Sequence, residues 1–149
     1  MGHDDVVSSM VLELRRGTLV MLVLGQLREP AYGYALVKAL ADHGIPCTIY
    51  RVSETFSEDG GYYHTQAVEK GVPSVPYTEE TDLSACHTLV DCLLGTGFSG
   101  EVRGLYRHAI QAMNQAKAYV VSVDINSGMN GDTGKGALVV QSNLTVTIG

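Results

Sequence analysis

A glycine-rich stretch in the middle of the chain has the residue types and spacing of a phosphate-binding loop. Gly95–Gly100 reads GTGFSG, a G-x-G-x-x-G string. It follows the apolar segment Leu89–Leu94 and precedes a segment with helical spacing, which is the context that this motif requires. Glycines let a phosphate approach the main chain, and a helix N-terminus attracts negative charge. We therefore predict nucleotide phosphate binding here, with a plain strand-to-helix turn as the alternative.

Two aspartates lie on either side of this loop in the sequence. Asp91 interrupts the apolar segment, and a buried carboxylate needs a cation or a set of hydrogen-bond donors. Asp124 ends the next apolar segment, and the polar loop Asn126–Gly128 follows it. Because parallel sheets bind ligands beyond the carboxyl ends of their strands, we expect Asp124 to act there as a general base or to hold a hydroxyl group. The alternatives are backbone amides that satisfy Asp91 and a turn that Asp124 caps.

Composition and charge exclude several classes of protein. The chain has 149 residues, enough for one domain with a hydrophobic core, and a net charge of −6, which argues against nucleic-acid binding. Cys47, Cys86 and Cys92 fit no disulfide framework or zinc pattern, so we expect buried or half-buried thiols in a reducing compartment, the cytoplasm. The apolar run Leu19–Leu24 is too short to span a bilayer.

Strand-like and helix-like segments alternate along the chain. Near-continuous apolar strands joined by helices predict an α/β fold, a parallel sheet covered on both faces. The predicted strands are Cys47–Val52, Ser74–Tyr77, Thr88–Leu94 and Ala118–Ile125, with β-character again at Ala137–Val140 and Leu144–Ile148. The predicted helices are Tyr34–His43, a segment from about Ser57 to Lys70, and Arg103–Ala118. The turn-rich stretch Asn130–Gly134 is expected only to flank the site.

Two strings carry a resemblance to a known family. Val90–Gly104 (VDCLLGTGFSGEVRG) and Val121–Gly128 (VSVDINSG) resemble the signatures of the NAD(P)H-hydrate epimerases, the YjeF N-terminal domain family. The resemblance covers about residues 34–149. It implies a Rossmann-like three-layer sandwich with a mostly parallel central sheet. It also implies an isomerase that interconverts the R and S forms of hydrated NADH and NADPH, so that a partner dehydratase can repair them.

The resemblance also implies roles for individual residues. Asp124 would contact the damaged nicotinamide and act as the catalytic acid/base. Asp91 and Ser127 would bind a potassium ion, a hard cation that suits oxygen ligands and would make a buried Asp91 tolerable. Nothing in the sequence marks a 2′-phosphate site, so the choice between NAD and NADP stays open. The substrate phosphates would be held by Gly95, Thr96, Gly97, Phe98, Ser99, Gly100 and Glu101.

One stretch departs from the family's pattern. The family has a loop of the form G-N-N-G-G-D-G after its first strand, whereas Gly25–Gly33 reads GQLREPAYG and lacks the asparagine that would complete the potassium site. Leu12–Tyr34 instead resembles the start of PadR-type winged-helix transcriptional regulators. We therefore interpret the chain as a chimera, engineered or recombined, whose two parts join within the shared segment Tyr34–Pro46.

This interpretation gives a domain organisation. We expect residues 1–10 to be a leader and residues 11–149 to form a single α/β domain, in which the regulator-like segment 11–33 replaces the first strand and loop. Thr18–Leu24 suits either a buried strand or a helix, and periodicity does not decide between them. We predict a strand, because omitting a central strand would expose two sheet edges. If the segment stayed helical, those edges would favour a homodimer.

Two functions from different classes follow. The first is an epimerase-like enzyme that is impaired or inactive, because the first substrate loop is replaced and small misplacements of reacting groups can cost about 100-fold in rate. The second is an engineered fold chimera without catalysis, a folded scaffold with at most weak nucleotide binding. A DNA-binding regulator is disfavoured by the negative charge and by the missing recognition helix. We expect a small-molecule nucleotide as partner and no membrane association.

Overall fold

The computed structural model describes residues 20–24, 31–56 and 58–147. Over these residues the helices and most of the strands occur in the order that the sequence predicts. None of the described helices is long and apolar enough to cross a membrane. The strands are β1 (Val20–Leu24), β2 (Cys47–Arg51), β3 (Ser74–Pro76), β4 (Thr88–Cys92), β5 (Tyr119–Val123) and β6 (Leu144–Val146), and the helices are α1 (Ala31–Asp42), α2 (Glu58–Glu69) and α3 (Gly104–Gln115).

The six strands form one parallel sheet in the order β3-β2-β1-β4-β5-β6. β1 lies between β2 and β4, with Val20 paired to Cys47 on one side and to Thr88 on the other. The strand order reverses between β1 and β4, and such a switch point opens a crevice beyond the carboxyl ends of the strands. The predicted fold class, a Rossmann-like α/β sandwich with a parallel central sheet, is confirmed.

The segment with ambiguous propensity forms a strand. The prediction for Thr18–Leu24 is confirmed over Val20–Leu24, and the preceding residues, including the expected leader 1–10, lie outside the described part of the chain. β1 fills the place between β2 and β4, so the open central edges that would have favoured a homodimer do not occur in the described sheet. The oligomeric state itself stays a prediction.

Apolar layers cover both faces of the sheet. On one face, α1 and α2 pack against β2, β4 and β5, and the buried residues there include Leu36, Leu40 and Ile49. On the other face, α3 packs against β4 and β5, and the buried residues include Leu89 and Ile110. Burial of each such side chain contributes roughly 1.5–3 kcal/mol, so the two layers hold the strands that carry the site in a fixed register.

The ends of the elements differ slightly from their predicted positions. The helix predicted over Tyr34–His43 is α1, which begins earlier, and the helix predicted over Arg103–Ala118 is α3, which is shorter at both ends. Arg103 and Ala116 both have extended backbones, and this limits α3. The described strands also end within a few residues of the predicted bounds, and Ile148 lies outside the described residues.

The β-character predicted for Ala137–Val140 is wrong, because these residues form an irregular crossing segment. Side chains and one loop carbonyl, rather than a neighbouring strand, bond its backbone. The Val140 N–H donates to the Ser127 carbonyl at 2.9 Å. Asn114 Nδ2 donates to the Val139 carbonyl at 2.9 Å, and Asn126 Nδ2 donates to the Val140 carbonyl at 2.8 Å. The apolar character of the segment reflects the burial of Val140 in the core on the α3 side.

Replacing Asn114 by alanine should lower the free energy of unfolding by about 1–2 kcal/mol, because one half-buried and one exposed backbone group lose their partner. These groups are the Val139 carbonyl and the Gln141 N–H, which donates to Asn114 Oδ1 at 2.8 Å. Urea unfolding followed by circular dichroism measures the change. Gln115→Ala, at an exposed site on the same helix, is the control and should cost less than about 0.5 kcal/mol. Equal stability of the two variants would contradict a stabilising role for the two hydrogen bonds of Asn114.

Candidate functional site

The predicted phosphate loop, Gly95–Gly100, follows β4 at the carboxyl edge of the sheet. The Phe98 N–H donates to the Gly95 carbonyl at 3.1 Å and closes a tight turn. Gly100 has a φ of 91°, which glycine adopts without steric cost. The Phe98 ring packs against the core on the α3 side, while Thr96, like most of the loop, is exposed. The turn is therefore anchored, and its other residues remain accessible to a ligand.

The end of the phosphate loop carries more positive than negative charge. Glu101 forms ion pairs with Arg103 at 3.3 Å and with Arg107 at 3.9 Å. All three side chains are exposed, so each pair contributes only about 0–1 kcal/mol to stability. The first turn of α3 contains no acidic side chain, and no side chain caps its N-terminus. This end of the loop therefore suits an anionic ligand.

Asp124 follows β5 at the same edge of the sheet. It has a φ of 74°, a left-handed conformation that no other described non-glycine residue shares. Its N–H donates to the Val146 carbonyl at 2.7 Å, which ties the loop after β5 to β6. Residues with such backbones are uncommon and cluster at functional sites. Asp124 is half-buried and therefore accessible, as a candidate acid/base must be.

Asp91, on β4, is fully buried, and its carboxylate accepts four hydrogen bonds. Oδ1 accepts from the Leu93 N–H at 3.2 Å and from Ser127 Oγ at 2.5 Å. Oδ2 accepts from Ser122 Oγ at 2.8 Å and from the Ser127 N–H at 2.9 Å. The Ser127 oxygen in turn accepts from the Leu94 N–H at 2.9 Å. Asp91 and Ser127, both predicted from the sequence, are therefore in direct contact.

These donors account for the burial of the Asp91 charge. Burial raises the pKa of the carboxyl above its ordinary value, and the hydrogen bonds from Ser127, Ser122 and Leu93 act against that rise. An ionised carboxylate has about four lone-pair sites, and four donors are directed at them. A potassium ion at Asp91 would have to displace one of these donors. The described residues, as they are arranged, do not fit such an ion.

The predicted site residues meet at one edge because β4 and β5 are neighbours. Asp91 pairs with Ser122 in the sheet, so the two strands end at the same level. The loop after β4 carries Gly95–Gly100, and the loop after β5 carries Asp124 and Ser127. The hydrogen bond from Leu94 to Ser127 joins the two loops.

A second glycine-rich loop, Gly128–Gly136, touches the phosphate loop, although the sequence only predicted that it flanks the site. A Cβ on Gly131 would lie 3.0 Å from the Thr96 carbonyl oxygen. Gly128 has a φ of 93°, and a Cβ there would overlap the Leu138 carbonyl oxygen. The high glycine content of this stretch was the available signal that the backbone segments approach so closely.

Sequence reasoning missed a polar cluster at the end of β2. Ser74 Oγ accepts from Arg51 Nη1 at 3.1 Å and forms a hydrogen bond with His64 Nε2 at 2.7 Å. Arg51 Nη2 also donates to Glu54 at 3.3 Å. Burial lowers the pKa of His64, and the Arg51 charge lowers it further. The cluster ties α2 to β2 and β3, and no short motif marks residues that are so far apart in the chain.

Cysteine chemistry has no place in this site. Cys47, Cys86 and Cys92 are buried and free, as predicted. Burial raises the pKa of Cys47 to about 11 and that of Cys92 well above its ordinary value, so neither is a ready thiolate nucleophile. The described residues also contain no group of three metal-binding His, Cys, Asp or Glu side chains.

Comparisons with known proteins identify the same family that the strings Val90–Gly104 and Val121–Gly128 resemble. Residues 5–149 match the family described as YjeF-related protein N-terminus. The NAD(P)H-hydrate epimerase of Limosilactobacillus reuteri (strain DSM 20016) is 29% identical over 97% of this chain and 68% of that protein. The bifunctional NAD(P)H-hydrate repair enzyme Nnr of Coxiella burnetii is 36% identical over 77% of this chain, which spans only 24% of that enzyme.

A solved structure shares the fold. The crystal structure of the yeast protein YNL200c superposes on 97% of this chain and 67% of its own chain, with a TM-score of 0.77 at 17% identity. The match to residues 5–149 includes residues 11–33, which the sequence analysis assigned to a regulator-like segment. The comparisons give no support to a regulator-derived segment or to a chimera.

Gly128→Ala should destabilise the fold more than Gly134→Ala. Both glycines have positive φ, which costs another residue roughly 1–2 kcal/mol, but a Cβ on Gly134 meets no atom within 4 Å. At Gly128 the overlap with the Leu138 carbonyl adds about 1–3 kcal/mol or more. Urea unfolding of the two variants measures this difference. Equal losses would show that the two backbone segments do not approach as closely as described.

Proposed function

The chain belongs to the family of YjeF-related N-terminal domains, and on that premise we propose that it is an epimerase that interconverts the R and S forms of hydrated NAD(P)H. The relatives named epimerases support the reaction. The observation that carries the proposal for this chain is the hydrogen-bonded junction between the phosphate loop and the loop that bears Asp124.

In this proposal the substrate lies across the ends of β4 and β5. The amides of Gly95–Gly100 and the arginines beside Glu101 bind its phosphates. Asp124 lies on one face of the hydrated nicotinamide, where its carboxyl group protonates the departing hydroxyl group, which leaves as water. Water then adds to the opposite face and releases its proton to the solvent, from which Asp124 takes up a proton again. One bond at the hydroxyl-bearing carbon breaks and re-forms, so the configuration inverts while the composition of the substrate is unchanged. A carboxyl group that gives and takes a proton commonly contributes about 10²–10⁴-fold to rate.

We further propose that turnover is reduced in this chain. Gly25–Gly33 lacks the asparagines and most of the glycines of the loop that the family has after its first strand. Residues 25–30 lie outside the described residues, so the sequence departure alone supports this step. Phosphate binding depends on the local backbone at Gly95–Gly100 and is retained. The competing candidate, a folded scaffold with weak nucleotide binding and no turnover, is favoured by the same departure.

Asp124→Asn should lower epimerase turnover by about 100-fold or more, because the amide cannot exchange the proton, and should leave KM nearly unchanged. Asparagine tolerates the left-handed backbone of this position, so the fold is retained. Chromatographic separation of the two hydrate epimers over time measures the rate. Asp132→Asn, the same change of charge at an exposed site in the neighbouring loop, is the control and should be silent. Full activity of Asp124→Asn would remove this residue from the mechanism.

NADP⁺ at about 100 times its Kd should raise the Tm of the chain by roughly 5–10 °C, because it binds only the folded state. Gly97→Val should abolish this rise, since its side chain occupies the space that a phosphate requires. Thermal unfolding of both proteins, with and without NADP⁺, tests the effect. A cooperative transition of the parent chain that NADP⁺ and NAD⁺ leave unmoved would favour the scaffold over the enzyme.

A further inference from the structure

We propose that Asp91 is a positioning residue that sets the phosphate loop and the Asp124 loop relative to each other, and that its carboxylate does so through protein donors without a bound potassium ion. The inference rests on the proposed function only where it treats these two loops as walls of one binding site.

The donors to Asp91 come from three parts of the chain. Leu93 lies where β4 leads into the phosphate loop, Ser122 lies on the neighbouring strand, and Ser127 lies in the loop after Asp124. Ser127 contributes both its N–H and its hydroxyl. A single carboxylate therefore joins the end of one strand to the loop that follows the next.

Ser127 extends this junction into the phosphate loop. Its Oγ donates to Asp91 Oδ1 and accepts from the Leu94 N–H, the residue immediately before Gly95. The hydrogen bonds run from the start of the phosphate loop, through Ser127, to the buried carboxylate. Ser127 and Asp91 are both fully buried, so water cannot replace a lost donor. A change at Ser127 must therefore displace both loops together.

Two independent observations argue against potassium at this carboxylate. Four donors match the roughly four lone-pair sites of Asp91, so no acceptor remains for an ion. In addition, Gly25–Gly33 contains no asparagine to complete the oxygen ligand set that the family resemblance implies. A cation would therefore displace protein donors at Asp91 and would lack the asparagine oxygen that the resemblance implies.

Thermal unfolding in potassium, sodium and choline chloride at equal ionic strength tests the potassium part. The expected result is the same Tm in all three salts to within about 1 °C, because no ion binds the folded state selectively. A rise of several degrees in potassium alone, lost in Asp91→Asn, would overturn this part of the proposal.

Hydrogen exchange of Ser127→Ala and Ser122→Ala tests the positioning part without any nucleotide. Each variant removes one hydroxyl donor from Asp91, but only Ser127 also contacts Leu94. Ser127→Ala should raise exchange about tenfold at residues 93–100 and 124–130 together, the effect of losing roughly one hydrogen bond. Ser122→Ala should not loosen these loops selectively. Loosening of one loop alone, or the same pattern in both variants, would overturn the positioning role.

Measuring the affinity for NADP⁺ then tests the positioning role of Asp91 separately from the proposed function. If the parent chain binds NADP⁺, Ser127→Ala should weaken binding by about tenfold and Ser122→Ala by less than about threefold. Unchanged affinity in a Ser127→Ala protein whose loops have loosened would overturn the link between positioning and binding. A parent chain that binds neither NADP⁺ nor NAD⁺ counts against the proposed function alone, because the exchange result still decides the role of Asp91.

Discussion

The buried carboxylate of Asp91 is the constraint on which the arrangement of the site depends. A charge that is removed from water must be matched by donors or by a counter-ion. Here the donors belong partly to β5 and partly to the loop after it. Ser127 can donate from both its backbone and its side chain only if that loop turns back over the end of β4. The same hydroxyl accepts from the Leu94 N–H. The side chain that stabilises the buried carboxylate therefore also positions the start of the phosphate loop.

The sheet makes this contact possible by holding the strands in register. Asp91 pairs with Ser122 on β5 and with Val23 on β1, so three neighbouring strands end at about one level. Their order reverses between β1 and β4, which opens the crevice where the loops converge. Glycines complete the arrangement, because the loop Gly128–Gly136 packs tightly against Thr96 and, at Gly128 and Gly136, crosses its own returning segment too closely for a Cβ. The core, the strand register and the glycines thus together fix the backbone at this edge of the sheet.

Local sequence patterns predicted much of this arrangement, and the failures have physical causes. The glycine string at Gly95–Gly100 and the interrupting Asp91 could be found because each depends on its immediate neighbours. Ala137–Val140 looked like a strand because a short apolar run does not reveal what bonds its backbone, and the asparagine side chains that do so come from distant parts of the sequence. Thr18–Leu24 was ambiguous because its residues permit either structure, and only the vacant place between β2 and β4 selects the strand. The resemblance of Leu12–Tyr34 to regulators rested on local similarity, whereas the family match extends through that segment.

Under the proposed function, the departure at Gly25–Gly33 would affect binding and turnover unequally, because the two would depend on different parts of the edge. The proposed phosphate contacts would come from amides within one short loop, and the hydrogen bonds among Leu94, Ser127 and Asp91 hold the start of that loop. Proton transfer at Asp124 would require in addition that the reacting ring be held at a set distance and angle. The family's loop after the first strand would contribute to that restraint. Without that loop, the binding energy of the phosphates would stay largely intact, but the nicotinamide ring would adopt a wider range of orientations. The family site in this chain should therefore keep its affinity for nucleotides more fully than its rate.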